Sequence, residues 1–298
     1  MKVQKLHKKS ARKPRPFLKW AGGKRALMQD ILARIPDGEI DLFVEPFLGG
    51  GALFLELAGQ GRIKKAILND RNPELVHTWR TVRDDPEGII NAIGQWHPDE
   101  ETYYAVRALD GTSMSDADRA ARVLWLNRTC FNGLYRINRS GQFNVPFGKY
   151  KKPRLVDEDN LRAVSAALQN VTLYDIDFEG VLAMAGPGAL VYCDPPYWPM
   201  SDTACFTAYD GNPFRTEDQE RLAEAFANLP SQGARGILSN SWTDQTVELY
   251  ERHDLHIGQV FCRRNINRNG ANRGPVPEIM VTTHEWAPEE EVALAAEG

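Results

Sequence analysis

No apolar run in the 298 residues approaches the roughly eighteen consecutive positions that a membrane-spanning helix needs. The first residues, MKVQKLHKKSARKPRPF, are basic and no apolar core follows them, so a secretory leader is not expected and the cytoplasm is the expected location. Cysteine is sparse. Cys130, Cys193, Cys205 and Cys262 show no C-x-x-C spacing, which argues against a disulfide frame or a zinc cluster and for reduced, buried thiols without a metal. Internal repeats are missing, and so is low-complexity sequence apart from a basic head and an acidic end, EWAPEEEVALAAEG. What remains is the composition of a folded globular chain: 42% apolar residues can bury the core of one large domain or two smaller ones.

Acidic residues are missing where cations concentrate. The net charge is only −4, yet residues 119–154 hold nine Lys or Arg with no Asp or Glu, and residues 1–34 hold eleven against Asp30 alone. Blocks of this kind bind phosphates through counterion release. A solvated basic tail accounts equally well for residues 1–15. Within 119–154 the cations alternate with aromatics and glycines, a poor mixture for a mere linker.

The stretch EIDLFVEPFLGGGALFLELAG reads as a strand at 42–44, a glycine turn and a helix; KKAILND is a second strand ending on Asp70, and Asn72-Pro73 opens a further helix. Strand, helix, strand at this length is a βαβ unit, hence an α/β fold with a parallel sheet. More strands are expected at 171–174, 189–193, 236–239, 256–262 and 278–283. The long region before residue 171 has no strand character. It reads as a helical insertion, helical at 102–109 and 116–126 and loop-like from 127 to 153.

Ligands of open α/β sheets lie at the carboxyl ends of strands, where a glycine turn lets backbone approach them. EPFLGGG occupies that place, and Asp70, ending the next strand, suits the two hydroxyls of a ribose. An adenosine-containing cofactor follows, a nicotinamide dinucleotide or S-adenosylmethionine. The dinucleotide fingerprint G-x-G-x-x-G fails, because Ala52, Leu53 and Phe54 follow Gly49, Gly50 and Gly51. Upstream, FLKWAGGK offers Trp20 for an adenine face and Lys24 for a carboxylate. It is not a nucleotide-hydrolase loop, since Arg25 stands where a Ser or Thr must follow the lysine.

The stretch VYCDPPYWP carries the chemistry. A strand ends at Asp194, and Pro195 and Pro196 fix φ and remove two amide donors, leaving a carboxylate and carbonyls as acceptors. An acceptor pair suits an exocyclic –NH₂: one hydrogen to Asp194, the other to the Pro195 carbonyl. Gripping both favours a pyramidal nitrogen whose lone pair can attack a sulfonium methyl, and Tyr197 can stack on a base that has left the duplex. The motif alone does not separate adenine from cytosine N4, nor exclude a DNA-binding regulator that kept the fold without turnover. Cys193 is read as strand packing, because a cysteine nucleophile for cytosine carbon usually follows proline and here follows Tyr192.

Together, FLKWAGGK, EPFLGGGALF, LND, NRTCFNGLYRINRSGQFNVPFGKYKKP, CDPPYWPMSDTACFTAY and LSNSWT resemble the Dam-type family of DNA adenine-N6 methyltransferases, in its α-group order, over residues 17–283. The resemblance implies a Rossmann-like S-adenosylmethionine-dependent methyltransferase sheet with helices on both faces, plus a helical, loop-rich inserted DNA-recognition domain. Residues 16–80 and 159–286 would form the catalytic part and 81–158 the recognition part, flanked by a basic, flexible segment at 1–15 and an acidic tail at 287–298. It implies cofactor contacts at Trp20, Lys24, Asp70 and Asp194 and along the turn at Glu45, Pro46, Phe47, Gly49 and Gly51, with Asp194, Pro195, Pro196 and Tyr197 as catalytic residues. The partner implied is double-stranded DNA, bound by a monomer without membrane attachment.

In that family the stretch matching 127–150 reads GATC from the major groove, which implies DNA contacts at Arg128, Phe131, Asn132, Leu134, Arg136, Pro146 and Tyr150, and at Lys19 for the first G. Arg136 suits a guanine edge, Leu134 and Pro146 a thymine methyl, and Phe131 a wedge into the gap left by a flipped base. Two departures stand out. Phe131 replaces a frequent tyrosine, keeping the wedge without its hydroxyl, and RRNINRNG at 263–270 replaces a serine-rich stretch, which removes the basis for phosphate contacts there.

Overall fold

Phe43 and Val44 are neighbours in one strand and belong to opposite apolar clusters, as the two-residue period of a strand demands. Leu190 and Val191, Ile237 and Leu238, and Met280 and Val281 divide in the same way. The sheet is therefore buried on both faces, which explains why its strands read as continuous apolar runs.

The computed structural model describes residues 12–138, 140–198, 214–263 and 275–285. Most of the basic N-terminal segment, Cys205, residues 264–270 and the acidic tail fall outside them. In chain order the first half comprises α1 (Met28–Leu32), β1 (Ile40–Glu45), α2 (Ala52–Gly59), β2 (Ile63–Asn69), α3 (Pro73–Asp84) and α4 (Pro86–Ile93). Then come α5 (Glu100–Ala108), α6 (Asp116–Thr129), α7 (Glu158–Ala167), β3 (Val171–Tyr174), α8 (Phe178–Leu182) and β4 (Leu190–Cys193). The last elements are α9 (Thr216–Ala227), β5 (Arg235–Ser241), α10 (Asp244–Glu251), β6 (His256–Arg263) and β7 (Pro275–Thr282).

The strand order is β3-β2-β1-β4-β5-β7-β6, with β3 to β5 parallel and β7 antiparallel to both of its neighbours. The order reverses between β1 and β4, so a crevice opens at their carboxyl ends. Helices α2 to α7 contribute to the cluster on one face, and α8, α9 and α10 to the other. The cluster on the first face runs unbroken from Phe54 through Trp79 to Tyr103 and Trp125, so the inserted helices pack onto the sheet's own core.

Several boundaries differ from expectation. Strand β2 stops at Asn69, whose side chain bonds the Pro46 carbonyl and the Ile176 amide, so Asp70 stands one residue beyond the strand. Helix α6 continues past residue 126 to Thr129, because Asn127 is buried and bonds Lys19 and Gly133 backbone. Helix α4 was hidden behind Asp85-Pro86: the aspartate caps Gly88 N–H and the proline occupies the first turn. The region expected as loop contains a tight turn at Phe131–Gly133 and two antiparallel bridges, Cys130 with Phe147 and Ile137 with Phe143, which fold it into a hairpin.

The described end of the basic segment is not loose. Arg12 makes a two-pronged ion pair with Asp157, Lys13 pairs with Glu56, and Arg15 exchanges two backbone bonds with the Asn160 side chain.

Candidate active site and nucleic-acid interface

The turn after β1 is built for close approach. Gly49 and Gly51 have φ of 47° and 61°, and a Cβ on Gly49 would stand 2.9 Å from the Trp20 ring, one on Gly51 2.7 Å from Trp79. Asp70 ties this turn to the next helix: its two oxygens accept from Gly49 N–H at 2.9 Å and Asn72 N–H at 3.0 Å, and Asn72 in turn caps α3.

A cavity of about 540 Å³ opens over this turn, lined by Trp20, Lys24, Glu45 to Gly51, Asp70, Asp194, Pro195, Pro196 and Tyr197. All the cofactor and catalytic residues expected from the sequence therefore meet in one space. Glu45 is 2% exposed and its Oε2 has no hydrogen-bond partner. Burial, reinforced by the charge of Asp194, holds its carboxyl well above the usual carboxylate range. Three carboxyl groups, Glu45, Asp70 and Asp194, thus line the cavity together with the cations Lys24 and Arg71.

Asp194 follows β4 and is fixed from several sides. Lys24, itself buried, approaches its Oδ1 at 2.7 Å, and Ser239 Oγ donates to the same oxygen at 3.3 Å. Burial nonetheless raises the Asp194 carboxyl above its ordinary value, against the lowering effect of Lys24. The turn is pinned beyond it: Pro196 carbonyl accepts from Gln219, Trp198 N–H donates to Asn240, and Tyr197 hydroxyl donates to Glu278 at 2.7 Å. Lys24 Nζ lies 4.6 Å from the centre of the Tyr197 ring.

Gln219, Ser239, Asn240 and Glu278 were missed as site residues. A signal existed, since LSNS places Ser239, Asn240 and Ser241 directly after the apolar Ile237 and Leu238 of a strand, and all three are buried. Cys193 is fully buried and burial pushes its thiol up, so it is a poor nucleophile. Cys193→Ala is expected to keep near wild-type turnover in a methyl-transfer assay; loss by orders of magnitude would make the thiol chemical.

The hairpin places its residues beside this cavity. Phe131 and Leu134 are 50% and 43% exposed, and Pro146 and Arg136 are exposed with them. Arg136 is oriented by Asn144, with Nε on its Oδ1 at 2.6 Å and a second N–H on its carbonyl at 3.2 Å. Asn132 adopts φ of 56° and its N–H donates to the Tyr150 hydroxyl, while Lys19 Nζ lies over the Tyr150 ring. Arg128 is directed inward: its guanidinium is largely desolvated and donates to the Phe17 carbonyl. Tyr135, also unforeseen, packs against Trp20 with ring centres 5.1 Å apart and planes tilted by 34°, and so joins hairpin to cavity.

A doubly wound sheet with an acceptor turn at the end of β4 and a glycine turn at the end of β1 belongs to the Rossmann-like methyltransferase class. The D12 class N6 adenine-specific DNA methyltransferase family matches residues 20–262, and the chain belongs to that family. It is 41% identical to the Type II methyltransferase M1.LlaDCHI of Lactococcus lactis subsp. cremoris over 91% of this chain and 95% of that one. It is 39% identical to the DNA adenine methylase of Escherichia coli K12, over 90% and 95%. The protein is accordingly an adenine-specific DNA methyltransferase acting at N6, with S-adenosylmethionine as methyl donor. The cavity fits that donor: the buried Glu45 Oε2 lacks a hydrogen-bond partner among the described residues, Trp20 and Asp70 line the space, and the glycine turn brings backbone to its edge.

Proposed function

We propose that the protein methylates adenine within GATC duplexes after flipping the base into the cavity, and that it does so as a cytoplasmic monomer. The observation that carries this reading is the placement of Asp194, Tyr197 and the glycine turn in one cavity adjoining the hairpin that bears Arg136. Residues 16–80 and 159–286 supply the catalytic sheet and 81–158 the recognition module. No helix among the described residues is long and apolar enough to cross a membrane.

S-adenosylmethionine, when bound, supplies an electrophilic methyl on sulfur. Trp20, Asp70 and the turn from Glu45 to Gly51 hold the adenosine side. The Asp194 carboxylate and the Pro195 carbonyl would accept the two N6 hydrogens, which frees the amine lone pair from the ring, and Tyr197 would stack on the base. The proton lost from N6 passes to the Asp194 carboxylate, whose raised affinity for protons suits it to that task. Lys19, Asn132 and Tyr150 stand along the DNA path, with Phe131 as the wedge and Leu134 and Pro146 for a thymine methyl, while Arg128, bonded to the Phe17 carbonyl, supports the hairpin from within.

Transfer of a labelled methyl group into duplex DNA, followed by identification of the nucleoside and its sequence context, tests the reading. Label on adenine outside GATC removes the site assignment, and label on cytosine removes the base assignment. Arg136→Ala is expected to cost about 1–3 kcal/mol of discrimination at one guanine while affinity for unrelated duplexes holds. An unchanged site preference, measured by competition between single-base variants of the duplex, takes Arg136 out of the readout.

A further inference from the structure

We propose that Glu278 is a positioning residue for methyl transfer: from strand β7 it fixes the Tyr197 ring in the orientation that receives the target base. The proposal rests on the reading of Asp194 and Tyr197 given above. Glu278 is 6% exposed, and among the described residues no cation pairs with it. Its backbone is held on both sides, opposite Ser241 of β5 and Val260 of β6, so the side chain projects from a rigid point in the sheet. A carboxylate buried without a cation is costly, and an apolar residue of similar size would serve the sheet better. What the carboxylate does have is the Tyr197 hydroxyl, donating to its Oε2 at 2.7 Å.

The geometry explains the need. Pro195 and Pro196 remove backbone donors from the turn, so its register has to be set by side chains. Side chains from several elements do so: Lys24 and Ser239 on Asp194, Gln219 on the Pro196 carbonyl, Asn240 and Ser241 on Trp198, and Glu278 on Tyr197. Most of these hold the carboxylate and the backbone, whereas Glu278 accepts the hydrogen bond of the Tyr197 hydroxyl. With the hydroxyl anchored and Lys24 Nζ 4.6 Å from the ring centre, the stacking surface is set before a base arrives, which spares reorganisation during the reaction. DNA affinity arises elsewhere, from the cations of the hairpin, so Glu278 acts on the rate and not on binding.

The test compares single-turnover methylation of a GATC duplex, duplex affinity and thermal unfolding for the full-length protein and for Glu278→Ala, Glu278→Gln, Tyr197→Phe and the Tyr197→Phe/Glu278→Ala pair. Glu278→Ala is expected to slow transfer about tenfold, the kinetic equivalent of one hydrogen bond to a charged group, with duplex affinity within about twofold. Glu278→Gln retains most of the rate, because its amide oxygen still accepts. Tyr197→Phe loses as much as Glu278→Ala, and the pair loses no more than the worse single variant. A wild-type rate in Glu278→Ala, or losses that multiply in the pair, overturns the proposal. Should Glu278→Ala not fold, Tyr197→Phe decides alone: a tenfold loss supports the tether and a wild-type rate sinks it. Wild-type protein that does not methylate adenine would instead overturn the functional reading.

Discussion

Asp194→Ala is expected to reduce methyl transfer by several orders of magnitude while duplex binding survives. The carboxylate is the one anionic acceptor that the strand end presents at the reacting amine, and removing it takes away both the grip on N6 and the destination of its proton. Loss of a single preorganised group at a reacting centre typically costs about 10²–10³ in rate, and loss of the proton acceptor adds to that. The hairpin cations, to which the proposed reading assigns the affinity, are untouched. Asp194→Asn separates the two contributions, because the amide oxygen still accepts one hydrogen bond but takes no proton. Rapid-quench methylation combined with duplex titration reads both quantities; near-normal turnover in Asp194→Ala would sink the mechanism, and lost binding would move Asp194 into DNA recognition.

Removing Lys24 should produce two pH dependences of opposite sign. Lys24 is the cation at Asp194, with Glu278 adding negative charge nearby and Ser239 as the neutral donor. Lys24→Met leaves the carboxylate desolvated without its partner. For a buried pair that costs about 3–5 kcal/mol, and about 3 kcal/mol is expected here because the Asp194 side chain keeps 20% exposure. The Asp194 carboxyl already lies above its ordinary value, and losing Lys24 raises it further.

A folded-state value above the unfolded one means that the folded protein binds more protons, so stability falls as pH rises through the interval between the two. The stability deficit of Lys24→Met is therefore largest at neutral and alkaline pH and shrinks in acid, as Asp194 takes up a proton. Activity runs the other way, because transfer needs the carboxylate, so the acid limb of the rate profile moves to higher pH. Chemical denaturation and single-turnover rates at saturating cofactor, both followed against pH, check the pair. An acid limb that does not move would show that Asp194 is not the titrating acceptor.

Much of this site was legible in the chain. The glycine turn, Asp70 and Asp194 each lie at or just beyond the end of a strand, and parallel connectivity brings strand ends of one direction to one edge. The basic stretch 119–154 stood out because it lacks acids entirely, yet Arg119 pairs with Glu74, Arg122 and Arg128 bond backbone carbonyls and Arg154 pairs with Asp157, which local sequence did not announce. Local signals also set most element types, while helix α4 was obscured by a proline that opened it.

Pairing across the sheet was not legible. Glu278 lies 81 residues from Tyr197, and nothing near either in the chain says that β7 inserts between β5 and β6 and carries an acid to the end of the acceptor turn. The contact of Tyr135 with Trp20, and the inward turn of Arg128 to the Phe17 carbonyl, equally join segments more than a hundred residues apart. The sequence by itself determined the chemistry, because the residues that react with substrate must be of particular types at strand ends, and those types show in any reading of the chain. The tertiary structure alone decided which side chains hold them still, because a buried hydrogen bond depends on which strands become neighbours, and strand order is settled by packing of the whole core.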